Sequence, residues 1–215
     1  MAGAPPVTRA GQETERVRQI MDRMAPRYDR QMGFFEKLLF QGGREWVCSR
    51  ASGHVLEIAV GTGRNLSYYS SDVSLTGIEL SPAMLKLAQT RAADLGRVAD
   101  LRLGDAHALD FPDESFDAVV CTFALCTIPD DRQAVREAAR VLRPGGRLLL
   151  VEHVRSPLRL VCAAQRVWDA FAVRLEGDHA MREPLDHLRA VGFEIEEFER
   201  LKFGLVERVA ARKRG

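Results

Sequence analysis

The chain contains little cysteine, and its cysteines are not spaced for any common site. Four cysteines occur among 215 residues, and no two of them form a CxxC pair. The sequence therefore supports neither a zinc knuckle nor a thioredoxin-type motif, and no metal is expected. Cys121 and Cys126 lie in an apolar run, where free cysteine acts as a small hydrophobic residue. We predict reduced cysteines in a cytoplasmic protein.

The sequence also lacks an excess of either charge and lacks long apolar runs. With 31 basic and 30 acidic residues, the formal net charge is +1, so no overall field attracts nucleic acid. There is no stretch of about 18 uncharged apolar residues, so no transmembrane helix is predicted. Residues 1–14 lack the apolar core of a signal peptide. Nucleic-acid partners and membrane spans are therefore not expected.

The remaining composition is that of a globular protein. Apolar residues make up 46% and charged residues 28% of the chain. At about 150 residues per domain, the length indicates one domain with an elaboration. We predict a disordered leader (1–11), an N-terminal helical cap (12–50) and a main domain (51–215) with a helical insertion at about 157–190.

Strand and helix patterns alternate through most of the chain. Strands are predicted at 54–60, 73–79, 98–103, 116–121 and 147–154, and helices at 13–24, 29–50, 84–94 and 131–142. Helices at 158–175 and 182–191 and a hairpin of strands at 193–198 and 203–211 follow. This order predicts an α/β fold, a Rossmann-like doubly wound sheet in a three-layer α/β/α arrangement. The sheet should be mostly parallel, with an antiparallel C-terminal strand.

A glycine turn follows the first predicted strand. Glu57 lies in that strand, and Gly61, Thr62 and Gly63 come after it, where a helix is predicted to begin. Glycine lets the backbone approach a ligand, and a helix start offers free N–H groups. Ligands of open parallel sheets bind beyond the carboxyl ends of the strands. The sequence therefore predicts a nucleotide-type site near Gly61 and Gly63.

The residues around this turn do not by themselves identify the nucleotide. Leu66 stands where a dinucleotide fingerprint requires glycine or alanine, and Ala59 occupies the earlier glycine position. Glu79, at the end of the second predicted strand, is placed to accept hydrogen bonds from ribose hydroxyls. Because NAD and S-adenosylmethionine both use an acid there, Glu79 leaves the choice between them open.

Five motifs in order carry a resemblance to a known family. They are residues 57–63, Glu79, Gly-Asp-Ala at 104–106, residues 111–117 and Leu-Arg-Pro-Gly-Gly at 142–146. With them, the chain resembles a class I S-adenosylmethionine-dependent methyltransferase over about residues 13–211, and is most similar to the UbiE-like branch. Residues 121–126 and 152–154 also resemble thiol and phospholipid N-methyltransferases. Ala59 departs from the family pattern, which usually has its first glycine there.

The resemblance implies a set of residues that bind S-adenosylmethionine. Glu57 would help to hold the amino end of the methionine, directly or through water. Glu79 would bind the ribose hydroxyls, and Asp105 and Ala106 the amino group and ring edge of the adenine. Tyr28 belongs to a segment that closes over the cofactor in relatives. The full set is Tyr28, Glu57, Ala59, Gly61, Thr62, Gly63, Glu79, Leu80, Met84, Asp105, Ala106, Cys121 and Thr122.

Candidates for the reaction itself are few. His153, at the end of the most apolar strand, and His179, in the C-terminal insertion, are the candidate catalytic residues. If the strand persists to residue 153, Glu152 would point away from His153. Aromatic residues of the helical cap and insertion would line an acceptor pocket. These are Phe34, Phe35, Trp168 and Phe171.

The expected function is methyl transfer from S-adenosylmethionine to a small-molecule acceptor, by in-line displacement at an apolar or aromatic O, N, S or C nucleophile. S-adenosylhomocysteine would be the product. The alternatives are a phospholipid or quinone methyltransferase, an NAD-dependent oxidoreductase and a non-catalytic nucleotide binder. The protein is expected to be a monomer or homodimer, and weak contact with a membrane surface stays open.

Overall fold

The computed structural model describes residues 9–38, 42–175 and 181–215. The helices are α1 (Arg9–Leu38), α2 (Gly43–Cys48), α3 (Pro82–Asp94), α4 (Asp131–Val141), α5 (Arg159–Leu175) and α6 (Pro184–Val191). The strands are β1 (His54–Ile58), β2 (Ser74–Glu79), β3 (Ala99–Leu103), β4 (Phe116–Thr122), β5 (Leu142–His153), β6 (Glu194–Leu201) and β7 (Val206–Arg212). Most of the expected leader lies outside the described residues, and α1 begins within it, at Arg9.

The seven strands form one sheet in the order β3-β2-β1-β4-β5-β7-β6. Strands β1 to β5 pair in parallel, and β7 pairs antiparallel with both β5 and β6. The prediction of a mostly parallel sheet with an antiparallel C-terminal strand is therefore confirmed. The strand order reverses between β1 and β4, which opens a crevice at the carboxyl ends of these strands.

Apolar side chains cover both faces of the sheet, as a parallel sheet between helices requires. Alternate residues of β5 show this arrangement. Leu148 and Leu150 belong to a core with side chains of α4 and α6, whereas Leu149 and Val151 pack on the other face with Val47 of α2. The helices on both faces confirm the three-layer architecture.

Pro26 lies inside α1 and does not end it. The sequence predicted an interruption there, because proline removes a backbone donor and crowds the preceding turn. The helix continues through it. Contacts on both sides hold the two halves in line: Asp22 accepts a hydrogen bond from the Ser81 hydroxyl, and Asp29 accepts one from the Thr62 hydroxyl. Tertiary contacts thus override the local preference.

Three other predicted boundaries were wrong. Gly42 adopts a left-handed conformation (φ 73°) and starts α2 as a separate helix, so no helix runs from 29 to 50. No helix follows Gly63: residues 61–69 form turns and bends, in which Leu66 N–H donates to the Gly63 carbonyl. The segment 65–72 is rich in Asn, Ser and Tyr, which are weak helix formers. Strand β5 begins at residue 142 rather than 147 and includes the Pro-Gly-Gly sequence.

Candidate active site

A cavity of about 460 Å³ opens at the carboxyl ends of the parallel strands. Its wall is formed by residues that end or follow strands β1 to β5, and α1 covers one side. Its volume lies within the range of small-molecule sites, roughly 300–1,000 Å³. The cavity thus occupies the crevice that the strand order creates.

The glycine turn and the end of β2 form one wall of this cavity. The Glu79 carboxylate is almost fully buried and accepts hydrogen bonds from the backbone N–H groups of Gly61 (2.9 Å) and Ser81 (2.9 Å). Burial raises the pKa of Glu79, while the backbone donors oppose that shift. Above Gly61 (φ 58°) there is open space, since a Cβ atom there would meet nothing closer than 4.0 Å. The turn therefore presents a bare backbone and a fixed carboxylate to a ligand.

Ala59 lines the cavity in a conformation that disfavours side chains. Its φ is 55°, in the left-handed region that glycine adopts readily. The conformation expected for the family's glycine is therefore kept, although the residue is alanine. Strain of this kind amounts to about 1–2 kcal/mol.

Helix α1 is bound to the glycine turn and to α3 through its acidic residues. Asp22 accepts hydrogen bonds from the Ser81 hydroxyl (2.5 Å) and the Ala83 N–H (3.2 Å) at the start of α3. Asp29 accepts one from the Thr62 hydroxyl (2.6 Å) and pairs with Arg91. Burial acts to raise the pKa of Asp29, but the hydrogen bonds from Thr62 and Arg91 outweigh burial and hold that pKa below its usual value. The helix is thereby fixed over the cavity.

A buried polar chain runs beneath the glycine turn. Asn65, with no exposed surface, donates to Glu57 (2.9 Å) and to the Thr122 hydroxyl (2.9 Å), and accepts a hydrogen bond from Arg44 (2.9 Å). The Tyr69 hydroxyl donates to the second Glu57 oxygen (2.9 Å). Burial raises the pKa of Glu57 to about 7. The chain ties β1 to β4 across the crevice.

Asp105 and His107 form a pair after β3. His107 Nδ1 lies 2.7 Å from Asp105, and the backbone N–H of Asp130 donates to His107 Nε2 (3.0 Å). This arrangement assigns the ring proton to Nδ1, so the neutral His107 donates to the carboxylate. Burial acts to raise the pKa of Asp105, but the hydrogen bonds from His107 outweigh it and lower the pKa. Asp105 is thus kept charged at the cavity wall.

The loop after β4 forms the opposite wall and is held from outside. Phe123 begins this loop with a positive φ of 51°. Arg182, which precedes α6, donates to the carbonyls of Leu125, Ile128 and Pro129. The loop therefore depends on an arginine more than fifty residues further along the chain.

The end of β5 places two polar side chains near the cavity. His153 lines it, and the adjacent Glu152 is buried, with its Oε1 accepting hydrogen bonds from the N–H groups of Ala124 (3.0 Å) and Leu125 (3.0 Å). Burial raises the pKa of Glu152 to about 7. Gln165 of α5 joins this wall and is anchored on the Val154 carbonyl (2.9 Å).

The structure brings most of the predicted site residues to this one cavity. Those that line it are Tyr28, Ala59, Gly61, Glu79, Leu80, Met84, Asp105, Ala106, Thr122 and His153. Four others do not line the cavity: Thr62 and Gly63 belong to the turn itself, Glu57 lies in β1, and Cys121 lies in β4, where its thiol contacts Glu152. The side chains of Phe34, Phe35, Trp168 and Phe171 and the whole of His179 lie outside the described residues, so these roles stay predictions.

Several contributors escaped the sequence reasoning. Helix α1 turns a methionine-rich face to the cavity, with Val17, Met21, Met24 and Met32 beside Tyr28. Their spacing is helical, and this signal was readable in the sequence. Four further residues carried no motif that predicted a role at the cavity, because each makes at least one contact with another element or loop of the fold. These are Asn65, His107, Gln165 and Arg182.

Comparison with known proteins places the chain in a family. Residues 56–150 match the model described as a methyltransferase domain. The chain is 46% identical over 103 residues to a phosphatidylethanolamine N-methyltransferase of Cereibacter sphaeroides, covering 47% of this chain and about half (51%) of that protein. It is 30% identical over 221 residues to a demethylmenaquinone methyltransferase of Tropheryma whipplei, covering 91% of each. The chain belongs to the S-adenosylmethionine-dependent methyltransferases, in their UbiE-like branch.

Solved structures agree on the fold of this methyltransferase. A methyltransferase from Thermotoga maritima matches with a TM-score of 0.70 at 22% identity, covering 92% of this chain and 100% of that one. The cyclase SpnF matches with a TM-score of 0.68 at 23% identity, covering 80% of this chain and 79% of that one.

No helix among the described residues of the methyltransferase is long and apolar enough to cross a bilayer.

Proposed function

We propose that this protein transfers the methyl group of S-adenosylmethionine to an apolar or aromatic small molecule. The observation that carries the proposal is one continuous cavity with unlike ends. One end lies by β2 and β3, where Glu79 ends β2 and Asp105 follows β3. The other end lies by β5, which ends at His153 and where Gln165 is bound to the Val154 carbonyl. A cofactor and an acceptor can meet in it.

The cofactor end fits the nucleoside part of S-adenosylmethionine. Each Glu79 oxygen already accepts one backbone N–H and retains a lone pair for a ribose hydroxyl. Asp105 is charged and suits the adenine amino group, with Leu80 and Met84 as apolar walls. Glu57 lies too deep to line the cavity, so it would support the turn and Thr122 through Asn65 rather than touch the cofactor.

The protein's part in the reaction is alignment. The bound cofactor supplies an electrophilic methyl carbon, so an acceptor needs a near-attack position more than further activation. Helix α1 and the loop after β4 enclose the cavity and keep water from the reacting atoms. His153 stands at the acceptor end, where it would contact the acceptor.

The acceptor end favours an apolar molecule. The wall contributed by α1 is rich in methionine, whose flexible side chains adapt to varied apolar shapes. The relatives named for phosphatidylethanolamine and demethylmenaquinone act on lipids or lipid-like quinones. A quinone or phospholipid acceptor is therefore the second, narrower candidate. The labelling experiment described below identifies which atom of the acceptor receives the methyl group.

An exposed apolar patch next to the cavity supports weak contact with a membrane. Leu160 (88% exposed), Val167 (65%) and Phe203 (74%) stand on α5 and the β6–β7 turn. Exposed Arg159, Arg166 and Lys202 are their immediate neighbours in the sequence. Because Gln165 and Leu205 nearby line the cavity, an apolar acceptor could enter from an anionic bilayer.

The cytoplasmic location and the monomeric or homodimeric state stay predictions.

Sedimentation with vesicles tests this contact. The protein should bind vesicles of phosphatidylglycerol more strongly than those of phosphatidylcholine, and the double variant Leu160→Ser/Phe203→Ser should lose that binding. Val98→Ser is the matched control, since Val98 is 91% exposed at the far edge of the sheet. Equal binding by the double variant would remove the patch from the proposal.

Two measurements test the methyltransferase itself. Calorimetry should show binding of S-adenosylmethionine and S-adenosylhomocysteine but not NADH, and Glu79→Gln should weaken the binding of S-adenosylmethionine by about 1–3 kcal/mol.

Labelled methyl groups should pass from the cofactor to a lipid or quinone fraction of a cell extract. His153→Ala should lower that transfer at least about tenfold with cofactor affinity intact. Cofactor binding without transfer to any fraction would favour a non-catalytic binder, or another reaction on this fold.

A further inference from the structure

Three side chains with metal-binding atoms meet at the acceptor end of the cavity. Cys126 in the loop after β4 and Glu152 and His153 at the end of β5 each offer one ligand atom, and these atoms all lie within 4.8 Å of one another. Neighbouring residues of a strand ordinarily point to opposite faces. Here the strand ends at His153, and a ligand atom of each of the two side chains lies within 4.8 Å of the Cys126 sulfur.

One oxygen of the Glu152 carboxylate has no hydrogen-bond partner among the described residues. Glu152 is 1% exposed, and its Oε1 takes both backbone donors, Ala124 N–H and Leu125 N–H. Oε2 is buried and has no hydrogen-bond partner among the described residues. A buried carboxylate oxygen without a partner is costly, and a cation beside it would offset that cost. The two N–H groups meanwhile fix the orientation of the carboxylate, as a supporting shell does for a metal ligand.

The donor set selects the class of ion. A thiolate, an imidazole and a carboxylate together suit a borderline-soft divalent ion with tetrahedral geometry, above all Zn²⁺. Ligand atoms around tetrahedral zinc lie about 3.3–3.8 Å apart, so shifts of about 1 Å would close the observed cluster around an ion. We propose that Cys126, Glu152 and His153 form a zinc site with three protein ligands.

The fourth position of this site would face the cavity. Cys126 and His153 both line the cavity wall, and three protein ligands with one open position are typical of catalytic rather than structural zinc. The open position would accept an anionic donor atom, such as a thiolate or phenolate of the acceptor. This last step rests on the proposed function, whereas the binding of the ion does not.

Cobalt replaces zinc as a visible probe of the site. Co²⁺ titrated into the metal-stripped full-length protein should give the absorption bands of a tetrahedral ion together with a sulfur-to-cobalt charge-transfer band. Zn²⁺ should displace it. In Cys126→Ser the charge-transfer band should vanish. In Glu152→Gln and His153→Asn the affinity should fall more than about 100-fold, beyond the 10–100-fold typical of outer-shell partners.

The controls separate this site from other causes. Cys162→Ser changes another buried cysteine outside the cluster, and it should keep the spectrum and the affinity. Circular dichroism checks that each variant is folded before titration. An octahedral spectrum, or a charge-transfer band that survives Cys126→Ser, would overturn the proposal. Methyl transfer that proceeds equally with and without Zn²⁺ would leave the proposed function standing and remove only the acceptor-binding role.

Discussion

The two ends of the cavity are built from different material. At the cofactor end, main-chain groups do most of the positioning: Gly61 and Ser81 donate their N–H groups to Glu79. At the acceptor end, side chains from separate elements converge, and Arg182 holds the loop between them from outside. A backbone-built end tolerates few changes of shape, whereas a side-chain-built end can change its ligand with single substitutions.

Gly63→Ala should have the largest effect and would test how tightly the cofactor end is packed. A Cβ atom there would lie 3.1 Å from the Ala88 backbone and 2.8 Å from the Leu66 side chain, at a φ of 78°. Strain and overpacking together should lower the free energy of unfolding by about 2–5 kcal/mol. Urea denaturation measures it. Gly96→Ala, with a φ of 60° and open space around it, should show only the strain of about 1–2 kcal/mol.

Glu57→Gln should change how stability depends on pH. Folded Glu57 holds its proton up to about pH 7, whereas the unfolded chain releases it near 4.5. Because the folded state binds more protons in this window, the free energy of unfolding falls as pH rises from about 4.5 to 7. Glu57 accounts for roughly 3 kcal/mol of this loss. The Glu57→Gln variant has no carboxyl group to titrate at this position, so its free energy of unfolding should fall less between pH 4.5 and 7. Relative to the wild type, the variant should therefore become more stable as the pH approaches 7.

Denaturation at a series of pH values measures this difference. Tyr69→Phe sharpens it, because the Tyr69 hydroxyl donates to Glu57 and lowers its pKa. Without the Tyr69 hydroxyl the pKa of Glu57 should rise, so the free energy of unfolding should continue to fall above pH 7. Parallel curves for the wild type and Glu57→Gln would mean that Glu57 does not titrate in this window.

Arg182→Ala should loosen the acceptor end alone. It removes charge-assisted hydrogen bonds to three carbonyls of the loop that carries Cys126. We expect a loss of about 1–3 kcal/mol in the free energy of unfolding and a raised KM for the acceptor, with cofactor affinity unchanged. Arg189→Ala, an exposed arginine of α6, should alter neither. A comparable loss of cofactor affinity would show that the two ends are not independent.

Ala59→Gly should have the smallest effect. It relieves the strain of a positive φ, about 1–2 kcal/mol, but adds about 0.4–1 kcal/mol of unfolded-chain entropy. Thermal denaturation should show a net gain in stability of about 0–1.6 kcal/mol. Ala93→Gly, at an exposed position of α3, should instead lose about 1 kcal/mol. A clear loss in Ala59→Gly would mean that its methyl group packs favourably.

Sequence reasoning recovered the fold, and most of the residues that it predicted to bind a cofactor line one cavity, because their signals are local. Apolar alternation gives the strands, and Gly61, Glu79 and Asp105 each follow or end a strand, so the parallel sheet brings them together. The helix expected after Gly63 failed for a local reason that was readable, the weak helix formers that follow it. The continuation of α1 through Pro26 was not readable, since Asp22 is held by Ser81, which caps α3, and by Ala83 of α3.

By itself, the sequence determined the order of the elements, the parallel sheet and the edge of the sheet at which the cavity opens. These follow from residue periodicity and from short motifs that act on their own neighbours. Only the tertiary structure decided that Asn65 joins Glu57 to Thr122, and that Cys126 meets Glu152 and His153. Such contacts join segments far apart in the chain, and no local pattern records them, because packing of the whole sheet sets the distances between those segments.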